Sequence, residues 1–253
     1  MDIALAVARD AVALARHTGH WLMVTQALML AAYCSVLLRD PVGAASFAEE
    51  AATRAKDHGF SYWEAYAKIV LDWISVRQAG AQVGVSAIRE GIASWQSMGA
   101  ESGLPFFLAL LCEAELATGD PNAAVDAANE GLRWGEKNSE HIHDGFLLCC
   151  RGDAIMALGD RAQAEADYHR ALAWSRERNA RWIELNAGIR LTRLWQADGR
   201  ARDARELLGP VYGWFTEGFD NPVLRDAKAL LDELTGTSDT ADSSNSPADL
   251  SNS

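Results

Sequence analysis

Apolar residues in this chain recur three and four positions apart, and no window alternates apolar with polar for long. Stretches such as "IALAVARDAVALA" (3–15) and "VLRDAKALLDEL" (223–234) therefore lay an apolar stripe along one helical face. The pattern predicts helices over 2–17, 20–38, 41–57, 61–78, 81–97, 103–118, 121–136, 142–158, 161–178, 181–197, 201–209 (extendable to 216) and 222–234, with no sheet. Breaks fall at "ATGDPN" (117–122), "ALGDRA" (157–162) and "ADGRAR" (197–202). There a glycine supplies the left-handed end of one helix, and an Asp or Pro suits the start of the next.

The pattern repeats every 40 residues. Gly19, Gly59 and Gly99 are 40 apart, as are Gly119, Gly159 and Gly199, and Trp134, Trp174 and Trp214. One column of small residues reads Ala4, Ala44, Gly84, Ala124, Ala164, Ala204. Seven positions on, a second reads Ala11, Ala51, Gly91, Gly131, Ala171, Val211. Residues seven apart share a helical face, and small side chains there let a neighbouring helix approach closely. The unit is two antiparallel helices, and the expected fold is an all-α solenoid covering residues 1–235, closed by a capping helix at 222–234. The tryptophan column reads as packing between units.

Composition narrows the function. The chain is 49% hydrophobic and carries a net charge of -12, which disfavours a phosphate backbone, so no nucleic-acid partner is expected. The longest apolar run, "ALMLAAYCSVLL" (27–38), is too short to span a bilayer, and no secretory signal opens the chain. The four cysteines fall in helical patterns and read as buried reduced thiols, in keeping with a cytoplasmic protein. Residues 236–253 are rich in Ser, Asp and Asn without aromatics and are expected to be disordered.

The segment "AEADYHRA" (164–171), with Ala164, Tyr168 and Ala171, resembles the second helix of a tetratricopeptide repeat, with Gly152 at the small position of the first. Ala4 and Ala11 would then sit in a second helix, so the chain is expected to begin mid-repeat, either as a piece cut from something longer, the favoured reading, or with its first helix packed against a partner. Residues 59–132 and the opening stretch, with "RLTRLWQADGRARDARELLGPVYGWFTEGFDNPVLRDAKALLDEL" (190–234), resemble the C-terminal tetratricopeptide-like region of bacterial multidomain signalling proteins; the similarity covers nearly all of residues 1–235 and is most specific in the ending 212–234. In those, a class III adenylate/guanylate cyclase precedes a P-loop ATPase domain. The resemblance implies a regulatory and interaction platform without catalytic residues, whose partners include ATPase or cyclase domains encoded elsewhere.

Direct signs of chemistry are few. No G-x-x-x-x-G-K-[ST] loop or G-x-S-x-G elbow occurs, and no cofactor is expected. In "EHIHD" (140–144), His141 and His143 are two apart, on different faces of a helix, and the cluster reads as helix capping rather than a metal site. The stretch "PVYGWFTEGFDNP" (210–222) has the aromatics and acids of a pocket, yet its register makes it the end of the last repeat and a break before the capping helix. The expected recognition surface is the concave face. One column there holds Tyr66, Phe106 and Phe146, and another Tyr33, Trp73, Glu113, Asp153 and Arg193. Aromatics with mixed charges suit a protein or peptide partner. The alternative reading is a regulatory domain that senses a small molecule or peptide.

Overall fold

The computed structural model describes residues 2–79, 82–100 and 102–242. Among them are twelve α-helices and no strand. The first six are α1 (Asp2–Thr18), α2 (Trp21–Leu37), α3 (Pro41–His58), α4 (Ser61–Ala79), α5 (Gln82–Ser97) and α6 (Leu104–Ala117). They are followed by α7 (Pro121–Asn138), α8 (Asp144–Ala157), α9 (Arg161–Glu177), α10 (Arg181–Ala197), α11 (Ala201–Tyr212) and α12 (Pro222–Asp242). Helix α12 runs past its expected end at 234 and takes in part of the segment expected to be disordered. The remainder of that segment, 243–253, lies outside the described residues.

The breaks follow the expected chemistry. Gly59, Gly119, Gly159 and Gly199 end their helices at positive φ, where a side chain would be strained. Asp40, Asp120 and Asp160 each accept a hydrogen bond from the backbone N–H three residues on, at 2.9, 2.9 and 3.0 Å, satisfying an otherwise orphaned donor. Asn221 does the same for Val223 N at 2.8 Å, with Pro222 at the first helical position of α12.

Every helix packs on its sequence neighbours. In addition α2, α4, α6, α8, α10 and α12 pack on one another in succession, whereas the backbones of α3, α5, α7, α9 and α11 pack, among the described residues, only against those of the helices before and after them; the Arg16–Glu50 ion pair also links α1 to α3. The even helices thus form an inner layer and the odd ones an outer layer, an arrangement consistent with an α-solenoid. The small residues make this possible. Ala44, Ala51, Ala124, Ala164, Ala171 and Ala204 are fully buried. A Cβ on Gly91 would meet Ile69 at 2.6 Å, and one on Gly131 would meet Leu147 at 2.8 Å. Ala4 and Ala11 differ: they are exposed, on a helix whose backbone packs, among the described residues, only against that of α2, although Arg16 reaches Glu50 of α3 and Ile3 N donates to Glu217. Of the tryptophans expected to pack between units, Trp134 and Trp174 are half-buried, but Trp214 is 56% exposed beyond the end of α11.

The inner layer curls far enough for its first helix to meet its last two. Trp182 of α10 donates its Nε1–H to the Leu37 carbonyl at 2.6 Å, and Asn221 donates its side-chain amide to the Leu38 carbonyl at 2.6 Å. Both acceptors are end-of-helix carbonyls of α2 that have no partner within the helix.

Candidate functional site: a charged cavity inside the curl

Closing the inner layer leaves a cavity of about 530 Å³ between α4, α10, the turn after α2 and the start of α12. Its walls carry two half-buried ion-pair clusters. In the first, Arg39 grips Glu113 with two hydrogen bonds, Nη1 to Oε2 at 2.9 Å and Nη2 to Oε1 at 2.5 Å. Trp73 adds its indole N–H to Oε2 at 3.1 Å. In the second, Arg190 donates Nε and Nη2 to Asp153, at 2.7–2.9 Å, while the Tyr168 hydroxyl donates to the same carboxylate at 2.8 Å. At the rim Arg193 pairs with Asp226 of α12 at 2.6 Å. Arg77 also faces the cavity, its guanidinium 5.3 Å over the Trp73 ring.

The pairing fixes the charge states. Burial alone would raise the Glu113 carboxyl, but the guanidinium groups around it, Arg39 foremost and then Arg77 and Arg190, together hold the group below its ordinary value. Burial likewise works against the charge on Arg190, and Asp153 more than restores it. Beside Asp153, burial and the neighbouring carboxylate push the Tyr168 hydroxyl well above its usual range.

Of the two columns expected on the concave face, the structure divides the members. Trp73, Glu113, Asp153 and Arg193 all line the cavity. Tyr66 and Phe106 do not line the cavity: Tyr66 is half-buried, and Phe106 is only 1% exposed. Tyr33 is half-buried, with its ring 4.8 Å from that of Phe106, and Tyr66 stacks edge-on to Phe107 at 4.8 Å. Phe146 is buried beneath the Arg39 guanidinium. The reason is the curl. It brings successive inner helices together at the axis, so their aromatics meet one another instead of opening on a surface.

Arg39, Arg77, Arg190 and Asp226 were absent from the expected site, although two of them carried a signal. Arg190 stands forty residues after Cys150 and eighty after Leu110, in a column otherwise apolar from Val70 to Leu230. Arg39 stands where the same turn elsewhere holds Gly119, Gly159 and Gly199, and it adopts φ 59°, left-handed backbone that a non-glycine residue enters at a cost. Each departs from the repeat rule, and each points its charge into the cavity.

The histidine cluster is local. His141 Nδ1 lies 2.8 Å from Asp144 Oδ2, one turn along the same segment. Glu140 reaches across to cap a different helix, accepting from Gly103 N at 2.9 Å ahead of α6. His143 is buried against the rings of Tyr33 and Phe106, and burial lowers its pKa to about 4. Cys112, Cys149 and Cys150 are buried free thiols, and burial pushes Cys149 up to about 11. Among the described residues, no group of three or more His, Cys, Asp or Glu is placed to hold a metal ion. No described helix is long and apolar enough to cross a membrane. The sequence matches no protein-family profile and none of the curated proteins.

Proposed function

We propose that the chain is a non-catalytic, tetratricopeptide-like regulatory module, its helix pairs repeating every forty residues, which recognises a small molecule or a short peptide segment in the cavity. The spacing of helix starts supports the repeat. Helices α2, α4 and α10 begin at Trp21, Ser61 and Arg181, and α3, α7, α9 and α11 at Pro41, Pro121, Arg161 and Ala201.

The cavity itself carries the reading. Its volume, about 530 Å³, lies within the ordinary range of small-ligand sites. A helix with its side chains is roughly 10–12 Å across, so the same space would hold only about one turn of it. That size favours ligand sensing over a helical partner laid in an open groove, as does the burial of Phe106 and Phe146. Glu113 is held charged by Arg39, and Asp153 is committed to Arg190 and Tyr168, an arrangement of structural ion pairs rather than of a proton-transfer pair. The wider setting, a cytoplasmic signalling protein of the bacterial cyclase–ATPase kind, rests on the resemblance of the opening stretch, residues 59–132 and residues 190–234.

A thermal-shift screen of small metabolites and short peptides tests the reading, because a ligand that binds only the folded state raises the melting temperature. The control is Val223→Trp, which fills the cavity from the first turn of α12. A shift seen in the natural protein and lost in the variant is expected. Shifts that persist in the variant, or none across the screen, would overturn the cavity as the site.

A further inference from the structure

The ligand's chemistry can be read from the charges left over in the cavity, given the reading of the cavity as a recognition site. We propose that it takes a monocarboxylate on a short apolar body, with Arg77 as the group that receives the carboxylate.

Four guanidinium groups line the cavity (Arg39, Arg77, Arg190, Arg193) against three carboxylates (Glu113, Asp153, Asp226). The surplus of one positive charge occurs in a chain whose net charge is -12. It sits around Glu113, whose oxygens are taken by Arg39 and Trp73; Arg77 meets the same carboxylate only as a loose ion pair, Nη1 at 3.9 Å, beyond hydrogen-bonding distance, and so keeps its donors. Arg77 donates no side-chain hydrogen bond among the described residues, yet its guanidinium is held over the Trp73 ring. A planar cation fixed on an aromatic face with free donors is suited to a carboxylate, which it grips with two parallel bonds.

The opposite wall agrees. Pro222 and Val223 put the first turn of α12 on the cavity, and its cap, Asn221, is neutral, so the positive end of the helix dipole is not offset there. Helix α3 also begins at the cavity, with Pro41, but the carboxylate of Asp40 caps it and neutralises that end. Ile189 and Val223 supply the apolar lining. One surplus charge balances a carboxylate. A dianionic phosphate ester would instead leave a net negative charge beside the half-buried carboxylates of Glu113 and Asp153. A free organic acid and the C-terminal carboxylate of a peptide share this chemistry.

Calorimetric titration of the full chain separates these cases. The probes are 4-methylpentanoate and its amide, acetyl-Gly-Leu with a free C-terminus and its C-terminal amide, and phenyl phosphate. Saturable binding of at least one carboxylate is expected, with its amide weaker by about tenfold or more. Whichever carboxylate binds tighter identifies the source. Arg77→Gln, on an exposed side chain, is expected to abolish the preference for acid over amide while circular dichroism and melting stay unchanged. Equal affinity for acid and amide, tighter binding of phenyl phosphate, a preference that survives Arg77→Gln, or no saturation by either carboxylate to roughly 10 mM would each overturn the proposal. If the amides or phenyl phosphate bind and Val223→Trp blocks them, the cavity stands and the carboxylate falls. If no probe binds and the wider screen is also blank, both fall.

Discussion

Trp182 donates its indole N–H to the Leu37 carbonyl at 2.6 Å across 145 residues of sequence. The bond caps a carbonyl at the C-terminal end of α2 and fastens the fifth inner helix, α10, to the first. Trp182→Phe keeps most of the ring and removes the donor, leaving that carbonyl unsatisfied in a partly buried seam. A loss of about 1–3 kcal/mol is expected, read as a lower urea midpoint. An unchanged midpoint would show that the seam is open in solution.

The Arg39–Glu113 pair is a second test of the closed curl. Glu113→Ala strands Arg39 in a low-dielectric wall and should cost about 3–5 kcal/mol, whereas Arg39→Met with Glu113→Leu should recover much of the loss. Equilibrium unfolding of Arg39→Met, Glu113→Leu and the double variant gives the coupling. Near-additive losses would contradict the pairing.

Close approach of α8 and α9 depends on Gly152. A Cβ there would lie 2.4 Å from the Tyr168 ring, which cannot swing aside while its hydroxyl holds Asp153. Gly152→Ala gains helix propensity, worth up to about 1 kcal/mol, yet the overpacking should still leave it destabilised, at about 1–3 kcal/mol. Thermal unfolding decides the sign.

His143 sets a pH dependence. Burial depresses its folded pKa to about 4 from 6.5, so the unfolded chain binds the extra proton first as pH falls. Its contribution is full above pH 6.5 and is lost progressively toward pH 4, by up to about 3 kcal/mol. Glu113, whose folded pKa is lowered below 4.5, contributes above that value and is lost only as pH falls through its folded pKa. The interval between about pH 4.5 and 6.5 therefore isolates the histidine. His143→Phe should flatten the stability profile there, and an unchanged slope would contradict the assignment.

The sequence carried the helices because local signals set them: glycines at positive φ, Asp caps, and apolar stripes such as Leu224, Ala227, Leu230 and Leu234 on α12, all buried as expected. It carried part of the site, because Trp73, Glu113, Asp153 and Arg193 share one register. What it did not carry was the curl. Periodicity describes one helix pair against the next, whereas the meeting of Leu37 with Trp182 depends on small angles summed over several pairs. That sum sends Tyr66 and Phe106 inward and turns an expected groove into a cavity. The break at 216–221, expected only to close the solenoid, also leads into the turn of α12 that walls the site. Arg39 and Arg190 were legible as exceptions to their columns, a signal visible only when each column is read for its odd member.

Hydrogen exchange of the protein, with and without a ligand found in the thermal screen, tests the central claim most directly. Recognition inside the curl predicts slowed exchange at the end of α2, along the facing parts of α4 and α10, and in the first turn of α12, with the outer helices α5, α7 and α9 unchanged. Protection confined to the outer layer, with those four inner segments unaffected, would contradict it.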